Sequence, residues 1–213
     1  MAAEKGAILY AYWLSSCSWR VRAALTLKKI PFEERTVDIV KEKKQFTEDY
    51  RAINPAQKVP ALAIDNVVLV ESMAIIQYLE ETRPQPALIP KTPLLRARMR
   101  EICEIVVSGI QPLQSFGLKP QFETEDQFQK FTKHFSERGF ETLEDLVQKS
   151  AGKYCIGDQI TIADICLVPQ FYNAYSRYSL DLAKYPTISE IYNTLLQHEV
   201  FQKTHPKNVK PKK

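Results

Sequence analysis

The pattern of apolar and polar positions divides the chain into two parts that differ in their predicted secondary structure. In the first part, short apolar runs typical of strands alternate with segments of helical periodicity. Strands are predicted at residues 7–13, 32–37, 59–64 and 67–70, and helices at residues 17–29, 45–53 and 73–82. The order β-α-β-α-β-β-α predicts an α/β domain over residues 1–84.

A hairpin is predicted where two β-rich runs are separated by Asp65-Asn66, because both turn residues tolerate positive φ. Asn54-Pro55 ends the helix before it, since the residue before a proline is pushed out of the α region. Glu71-Ser72 follows the hairpin, and Ser72 is a natural N-cap for the next helix. The third helix is therefore expected to begin directly after the hairpin.

The second part begins after a proline-rich stretch. Four prolines lie between residues 84 and 93, and they predict a fairly stiff linker over residues 85–93. Helical periodicity then recurs over residues 94–117, 124–150, 162–178 and 188–200, which predicts an all-helical domain over residues 94–213. The last residues, 203–213, are basic and contain proline, so we expect a frayed, solvated tail.

One of these helices carries a capping signal. Thr161-Ile162-Ala163-Asp164 has the form of a capping box, in which the Thr161 hydroxyl accepts from the Asp164 amide and the Asp164 carboxylate accepts from the Thr161 amide. Gly157-Asp158 supplies the preceding turn, and Pro169 inside the helix predicts a kink.

Composition excludes several classes of function. The net charge of +4 is mild and basic residues do not alternate with aromatic ones, so nothing specific indicates nucleic-acid binding. The four cysteines are widely spaced without a CxxC pair, which argues against a metal site and a disulfide framework. Neither a signal core nor a membrane-spanning run is found. We expect a reducing compartment, most simply the cytoplasm.

The stretch Ser15-Ser16-Cys17-Ser18-Trp19-Arg20 is the strongest candidate for chemistry. It lies where the first strand pattern stops and the first helix pattern begins. The free N–H groups of a first helical turn and the helix dipole favour an anion there. Serine is also a favoured N-cap, so simple capping stays open as the alternative.

This hexapeptide, continued by Val21-Arg22, resembles the signature of the zeta class of the cytosolic glutathione transferases. Members of this class are maleylacetoacetate isomerases. The similarity covers roughly residues 6 to 206. Further stretches that resemble the class are Asn54-Pro55, Val59-Pro60, residues 78–84, residues 109–114, Ala163-Asp164 and residues 185–188. The resemblance implies a thioredoxin-like first domain, an all-helical second domain, glutathione as cofactor and a homodimer.

The resemblance also assigns roles around glutathione. Ser15 would donate its hydroxyl to the glutathione sulfur and so favour the thiolate, while Ser16 and Cys17 would complete the polar pocket. Ser18, Trp19 and Arg20 belong to the same stretch, and either Arg20 or Arg22 is expected to face the pocket. The other residues that the resemblance assigns to glutathione are Gln45, Val59, Glu71, Ser72, Gln111, Ser115, Phe116 and Gly117.

Each of these residues has an expected partner. Val59, before a Pro60 that is cis in the family, would pair its backbone with the cysteinyl part of the tripeptide. Glu71 and Ser72 would bind the γ-glutamyl end, where Glu71 replaces the glutamine of many members. The glycyl end would meet Gln45, and the second domain would contribute Gln111. The second-substrate wall would be Ser115, Phe116 and Gly117.

The expected electrophile is a small dicarboxylic enone, and Arg177 is the candidate for its carboxylate, because an arginine fork grips a carboxylate with two hydrogen bonds. Thiolate addition, rotation and elimination would convert the cis double bond to trans. The same pocket would suit dehalogenation of α-halo acids.

Two alternatives stay open. The first is a thiol transferase or dehydroascorbate reductase that uses Cys17 in a mixed disulfide with glutathione, although no neighbouring cysteine supports a dithiol cycle. The second is a glutathione transferase-like fold used only for binding, since a fold does not fix a function.

Overall fold

A four-stranded sheet organises the first part of the computed structural model, which describes residues 6–211. The strands and helices follow one another as β1 (Ala7–Ala11), α1 (Ser16–Leu27), β2 (Phe32–Thr36), α2 (Glu48–Ile53), β3 (Ala61–Ile64), β4 (Val67–Val70) and α3 (Ser72–Thr82). A 3₁₀ turn at Lys44–Phe46 precedes α2. The predicted order βαβαββα is confirmed.

The central strand of the sheet carries the first helix turn at its end. The order is β2-β1-β3-β4, with β1 parallel to β2 and antiparallel to β3. A parallel pair needs a crossover connection, and α1 supplies it. Leu9 and Ala11 are fully buried, as expected of a central strand. The chain leaves β1 at Ala11 and enters α1 at Ser16, so the site is placed by the most enclosed strand.

The chain divides into two units at positions that differ from the predicted boundaries. One unit joins the residues up to Pro86 with those from Glu199 onward, and the other is Ala87–His198. Two short helices, α8 (Glu199–Thr204) and α9 (Pro206–Val209), therefore belong with the sheet and not with the helical unit.

This placement corrects the expectation of a frayed tail. Phe201 and Thr204 are buried and α8 packs against α1, because apolar side chains of α8 find an apolar surface there. The solvated tail was therefore wrong for residues 203–209, while residues 212 and 213 lie outside the described part. The predicted helix over residues 188–200 likewise ends early, with α7 at Pro186–Leu196.

The second unit is mostly helical, as predicted. Its helices are α4 (Pro93–Glu104), α5 (Glu125–Val147), α6 (Ile162–Tyr178) and α7. The helix expected over residues 94–117 is α-helical only to Glu104, widens into a π-helical turn at Ile105–Ile110 and breaks into 3₁₀ turns at Pro112–Gln114 and Phe116–Gln121. Pro112 lacks an N–H, which explains why a regular helix cannot continue through it.

The predicted capping box is present at the start of α6. One Asp164 carboxylate oxygen accepts from the Thr161 amide at 2.7 Å, and the other accepts from the Cys155 amide at 2.9 Å. The Asp164 amide also donates to the Thr161 carbonyl at 3.2 Å. Burial raises the pKa of Asp164, and these hydrogen bonds oppose that shift. Within residues 6–211, no helix has both the length and the apolar character to cross a bilayer.

Candidate functional site

The 15–17 turn (Ser15, Ser16 and Cys17) caps α1 and still leaves hydrogen-bonding capacity. Ser15 is the N-cap with extended backbone angles, and its Oγ accepts from the Ser18 amide at 3.2 Å. An N-cap hydroxyl acts as an acceptor in this role, so its own proton stays available to a further partner. Capping and anion binding are therefore compatible at Ser15.

The next two positions lie in the first turn of α1. Ser16 is buried and Cys17 is half-buried. The other three cysteines, Cys103, Cys155 and Cys166, are free thiols in the interior. First-turn amides have no partner within their own helix, and the helix dipole adds partial positive charge. Cys17 is thus the one cysteine of the described chain that a soluble partner can reach.

The side chains of Ser18 and Trp19 point into the protein, which corrects their assignment to glutathione. Ser18 is 0% exposed, and its Oγ accepts from the Tyr12 amide at 3.3 Å. Trp19 is 1% exposed and its Nε1 donates to Thr204 Oγ1 at 2.9 Å. Because both side chains are enclosed by protein, they stabilise the 15–17 turn from the protein interior.

The two arginines of α1 are also buried, and they differ in what they hold. Arg22 donates from Nε and Nη2 to the Glu34 carboxylate at 2.7 and 2.8 Å, which ties α1 to β2. Arg20 donates from Nη1 to Ser72 Oγ at 3.3 Å. Of this pair, Arg20 therefore touches a residue assigned to glutathione, and it does so as a support for Ser72.

The start of α3 offers a second helix N-terminus. Glu71 is exposed and has φ of 67°, a left-handed value that favours glycine, while Ser72 is buried. A non-glycine residue held at positive φ is strained and commonly marks a functional position. Arg20 occupies a lone pair of the Ser72 hydroxyl, so the hydroxyl proton can be donated elsewhere.

The approach to β3 has the predicted cis bond at Val59–Pro60. The Lys58 carbonyl accepts from the Tyr50 hydroxyl and from Asn54 Nδ2, both at 2.7 Å. Burial raises the pKa of Tyr50 to about 12, so the hydroxyl remains a donor. Among residues 6–211, the Val59 peptide groups have no hydrogen-bond partner. They are available for strand-like pairing with a ligand backbone.

Gln45 lies in the 3₁₀ turn before α2 and has an unused acceptor. Its side chain is 9% exposed, and Nε2 donates to the Ile39 carbonyl at 3.2 Å. Its Oε1 is buried without a hydrogen-bond partner in the described chain. A buried amide oxygen in that state is costly unless a ligand donor satisfies it.

The sheet register explains why these segments meet. Tyr10 pairs with Ala61, and Ala61 pairs with Val70. Because β3 is antiparallel to β1 and β4, the 15–17 turn, Val59 and Glu71 all lie beyond this row at the same edge of the sheet. The parallel strand β2 also ends at this edge, and the chain leads from it towards Gln45.

The second unit brings its own predicted residues together. The Arg177 guanidinium carbon lies 3.9 Å from the Phe116 ring centroid, in cation–π geometry. Arg177 Nη2 donates to the Tyr178 hydroxyl at 3.1 Å, and that hydroxyl donates to the Gln114 carbonyl at 3.0 Å. Ser115 Oγ accepts from the Gly117 amide at 3.3 Å. Gln111 lies half-buried at the end of the π-helical turn.

A buried polar network beneath this segment escaped the sequence analysis. Gln114 Nε2 donates to Ser136 Oγ at 2.7 Å, and Gln170 Nε2 donates to Gln114 Oε1 at 2.5 Å. The sequence signal is Gln170, the polar residue in the otherwise apolar run at residues 165–171 of α6. A satisfied buried network of this kind fixes the backbone that it holds, here residues 114–117.

Comparisons with known proteins find matches for both parts of the chain. Residues 14–82 match the model of the glutathione S-transferase N-terminal domain, and residues 112–203 match that of the C-terminal domain. The chain is 50% identical over 201 residues to a maleylacetoacetate isomerase of Mus musculus, covering 94% of this chain and 92% of that protein.

Two solved structures extend the comparison. A maleyl pyruvate isomerase, described as a bacterial zeta-class glutathione S-transferase, superposes with a TM-score of 0.91 at 33% identity, covering 97% of this chain and all of that one. A maleylacetoacetate isomerase from Anaeromyxobacter dehalogenans with glutathione bound in its active site has a TM-score of 0.85 at 39% identity, covering 96% and 97%.

Proposed function

The chain belongs to the glutathione S-transferase family, and on that premise we propose that it is a zeta-class, glutathione-dependent isomerase of maleylacetoacetate. The observation that carries the proposal is the meeting, at one sheet edge, of the 15–17 turn, Val59 and the start of α3. Together these groups can bind an anionic, peptide-like ligand.

The unused hydrogen-bonding groups fit glutathione. The Ser15 hydroxyl has a proton to donate, the Val59 peptide groups are free in the described chain, and Gln45 Oε1 lacks a donor. When bound, glutathione supplies a thiolate that adds to the conjugated cis double bond, which rotates as a single bond and is restored as trans on elimination. A peptide N–H can donate to Gln45 Oε1, and this match supports a peptide cofactor such as glutathione.

The residues of the first unit bind and orient the tripeptide. Ser15 donates to the sulfur and stabilises its charged form, assisted by the N-terminus of α1. Glu71 holds the γ-glutamyl ammonium, and the Ser72 hydroxyl and amide hold its carboxylate. Val59 pairs with the cysteinyl backbone. The family resemblance adds Ser16 and Cys17 to the thiolate pocket and assigns Gln111 to glutathione.

The residues of the second unit orient the electrophile. Arg177 presents its guanidinium, held flat on Phe116 and tied to Tyr178, to a substrate carboxylate. Ser115 and Gly117 continue the wall beside Phe116. A fixed carboxylate restricts the orientations that the electrophile can adopt.

The test is steady-state isomerisation of maleylacetoacetate with and without glutathione, for the wild type, Ser15→Ala and Cys17→Ala. The proposal expects glutathione-dependent turnover that falls about a hundred-fold or more in Ser15→Ala, since one lost hydrogen bond to a developing anion has that weight. Turnover kept in Ser15→Ala and abolished in Cys17→Ala would favour the second candidate, a Cys17 thiol transferase, which the partial exposure of that thiol supports. Glutathione binding without any turnover would indicate a binding module.

Three further properties belong to the proposal. A homodimer is supported by exposed apolar residues on the edge strand β4, Val67 and Val68, and at the start of α4, Leu94 and Leu95. A reducing cytoplasmic location is supported by the four free thiols. Dehalogenation of α-halo acids, and hence a part in detoxification, is supported by a thiolate that can displace halide and by an arginine that can bind the substrate carboxylate. Sedimentation tests the homodimer, and the release of halide from α-halo acids tests dehalogenation.

A further inference from the structure

The C-terminal strap, defined here as residues 199–210, is packed against the helix that carries the candidate active turn. It contains α8 and α9 and groups with the sheet although it follows the helical unit in sequence. Phe201 is fully buried and α8 contacts α1. The strap therefore covers part of α1, although it lies near the other end of the sequence.

The strap holds Trp19 through a buried hydrogen bond. Trp19 Nε1 donates to Thr204 Oγ1 at 2.9 Å, and Thr204 Oγ1 in turn donates to the Val200 carbonyl at 2.7 Å. The His205 ring meets the Trp19 indole edge-on, with centroids 5.2 Å apart. Trp19 follows Cys17 by two positions, so this contact fixes the second turn of α1 relative to the strap.

The strap also reaches the other side of the 15–17 turn. Lys210 Nζ lies 5.1 Å from the centroid of the Trp13 ring, which in turn packs at a tilt on Tyr12 with centroids 5.8 Å apart. Tyr12 is tied to the turn twice, because its carbonyl accepts from the Ser15 amide at 3.0 Å and its amide donates to Ser18 Oγ. The chain has two tryptophans, and the strap contacts both.

We propose that the strap is a positioning element for glutathione binding: by holding Trp13 and Trp19, it keeps the intervening turn in the binding-competent geometry. The proposal rests on the assignment of Ser15 to the glutathione sulfur. If the competent turn is populated for only a fraction of the time, the apparent dissociation constant rises by the inverse of that fraction. Saturating glutathione restores the competent state, so KM for glutathione changes and kcat does not.

The main variant is Thr204→Val, which keeps the shape of the side chain and removes the acceptor for the buried indole N–H. We expect the dissociation constant and KM for glutathione to rise about five-fold or more, with kcat at saturating glutathione within two-fold of the wild type. Thr204→Ser, which retains the hydroxyl, should restore the affinity. Ile191→Val in α7 is the control for lost stability, because it removes buried volume in the other unit.

A second, gentler pair tests the Trp13 side. Lys210→Gln removes the cation above Trp13 and should raise the dissociation constant for glutathione about two- to four-fold and change the tryptophan fluorescence. Lys203→Gln makes the same charge change at an exposed strap position and should leave both unchanged.

Direct calorimetric titration of glutathione separates the possible failures. Wild-type protein that binds glutathione without isomerising maleylacetoacetate would contradict the proposed function. The effect of the strap variants on glutathione affinity would still decide the strap proposal. Wild-type protein that binds and isomerises, with Thr204→Val equal to it in affinity although less stable, would overturn the strap proposal alone. A wild type that does not bind glutathione would overturn both.

Discussion

The proposed sites of the two units would hold negative charge by different means. In the first unit, we propose that the anion binds at the N-termini of α1 and α3, through backbone amides and small hydroxyls such as those of Ser15 and Ser72. In the second, a single guanidinium is fixed between the Phe116 ring and the Tyr178 hydroxyl. The helix N-termini of the first unit are set by local backbone geometry, which suits a cofactor that is the same in every turnover. The Arg177 site of the second unit depends on side chains, so substitutions there can adapt it to a different substrate.

The largest effect is expected from Arg177→Leu, which removes the charge in the second unit. KM for the dicarboxylic substrate should rise about a hundred-fold, the weight of a charge-assisted bidentate contact, while glutathione affinity stays unchanged. Arg177→Lys should recover only part of the loss, because an ammonium lacks the planar fork. Steady-state kinetics with each substrate varied in turn measures both, and equal damage to both affinities would contradict the division.

Gln114→Leu tests whether the buried network supports Arg177. It removes the hydrogen bonds that Gln114 makes with Ser136 and Gln170, so the free energy of unfolding should fall by about 1–3 kcal/mol. KM for the electrophile should rise, and that for glutathione should not. Val147→Ala, on the same helix as Ser136 but eleven residues further along, provides a control that loses stability alone. If both variants change KM equally, the network has no special role.

Glu71→Gln tests the proposed contribution of the Glu71 charge to glutathione binding by the first unit. The carboxylate is exposed, so its attraction to the γ-glutamyl ammonium is screened and its loss should weaken glutathione binding only about two- to five-fold. The wild type should lose affinity with added salt more steeply than the variant. Glu81→Gln, an exposed carboxylate near the end of α3, serves as the matched control. Affinities that match at every salt concentration would remove Glu71 from the site.

The smallest effect concerns pH and the strap. Burial first, and then the Lys207 charge, lower the pKa of His205 below its ordinary value of 6.5. The unfolded chain therefore binds a proton before the folded one does, so stability is fully present above pH 6.5 and declines as the pH falls through the folded pKa. Thermal unfolding across this range should show a small decline that His205→Asn abolishes. A slope unchanged in the variant would assign it to other groups.

The sequence predicted local features better than contacts between distant residues, and the reason is physical. The 15–17 turn, the hairpin at Asp65-Asn66 and the start of α3 at Ser72 are local features, written in adjacent residues. The strap and the Gln114 network depend on residues far apart, such as Trp19 with Thr204 and Gln114 with Gln170. Hydrophobic periodicity shows which residues are buried, but it does not show which residues they pack against. For this reason the sequence assigns Ser18 and Trp19 to the ligand instead of the core.

The most direct test of the role of Ser15 is the pKa of the glutathione thiol when bound, followed by the ultraviolet absorbance of the thiolate in a pH titration of the complex. We predict a bound thiol pKa below that of free glutathione in the wild type and in Cys17→Ala, and a return towards the free value in Ser15→Ala. A bound pKa that is unchanged in Ser15→Ala but raised in Cys17→Ala would contradict the central role of the Ser15 hydroxyl.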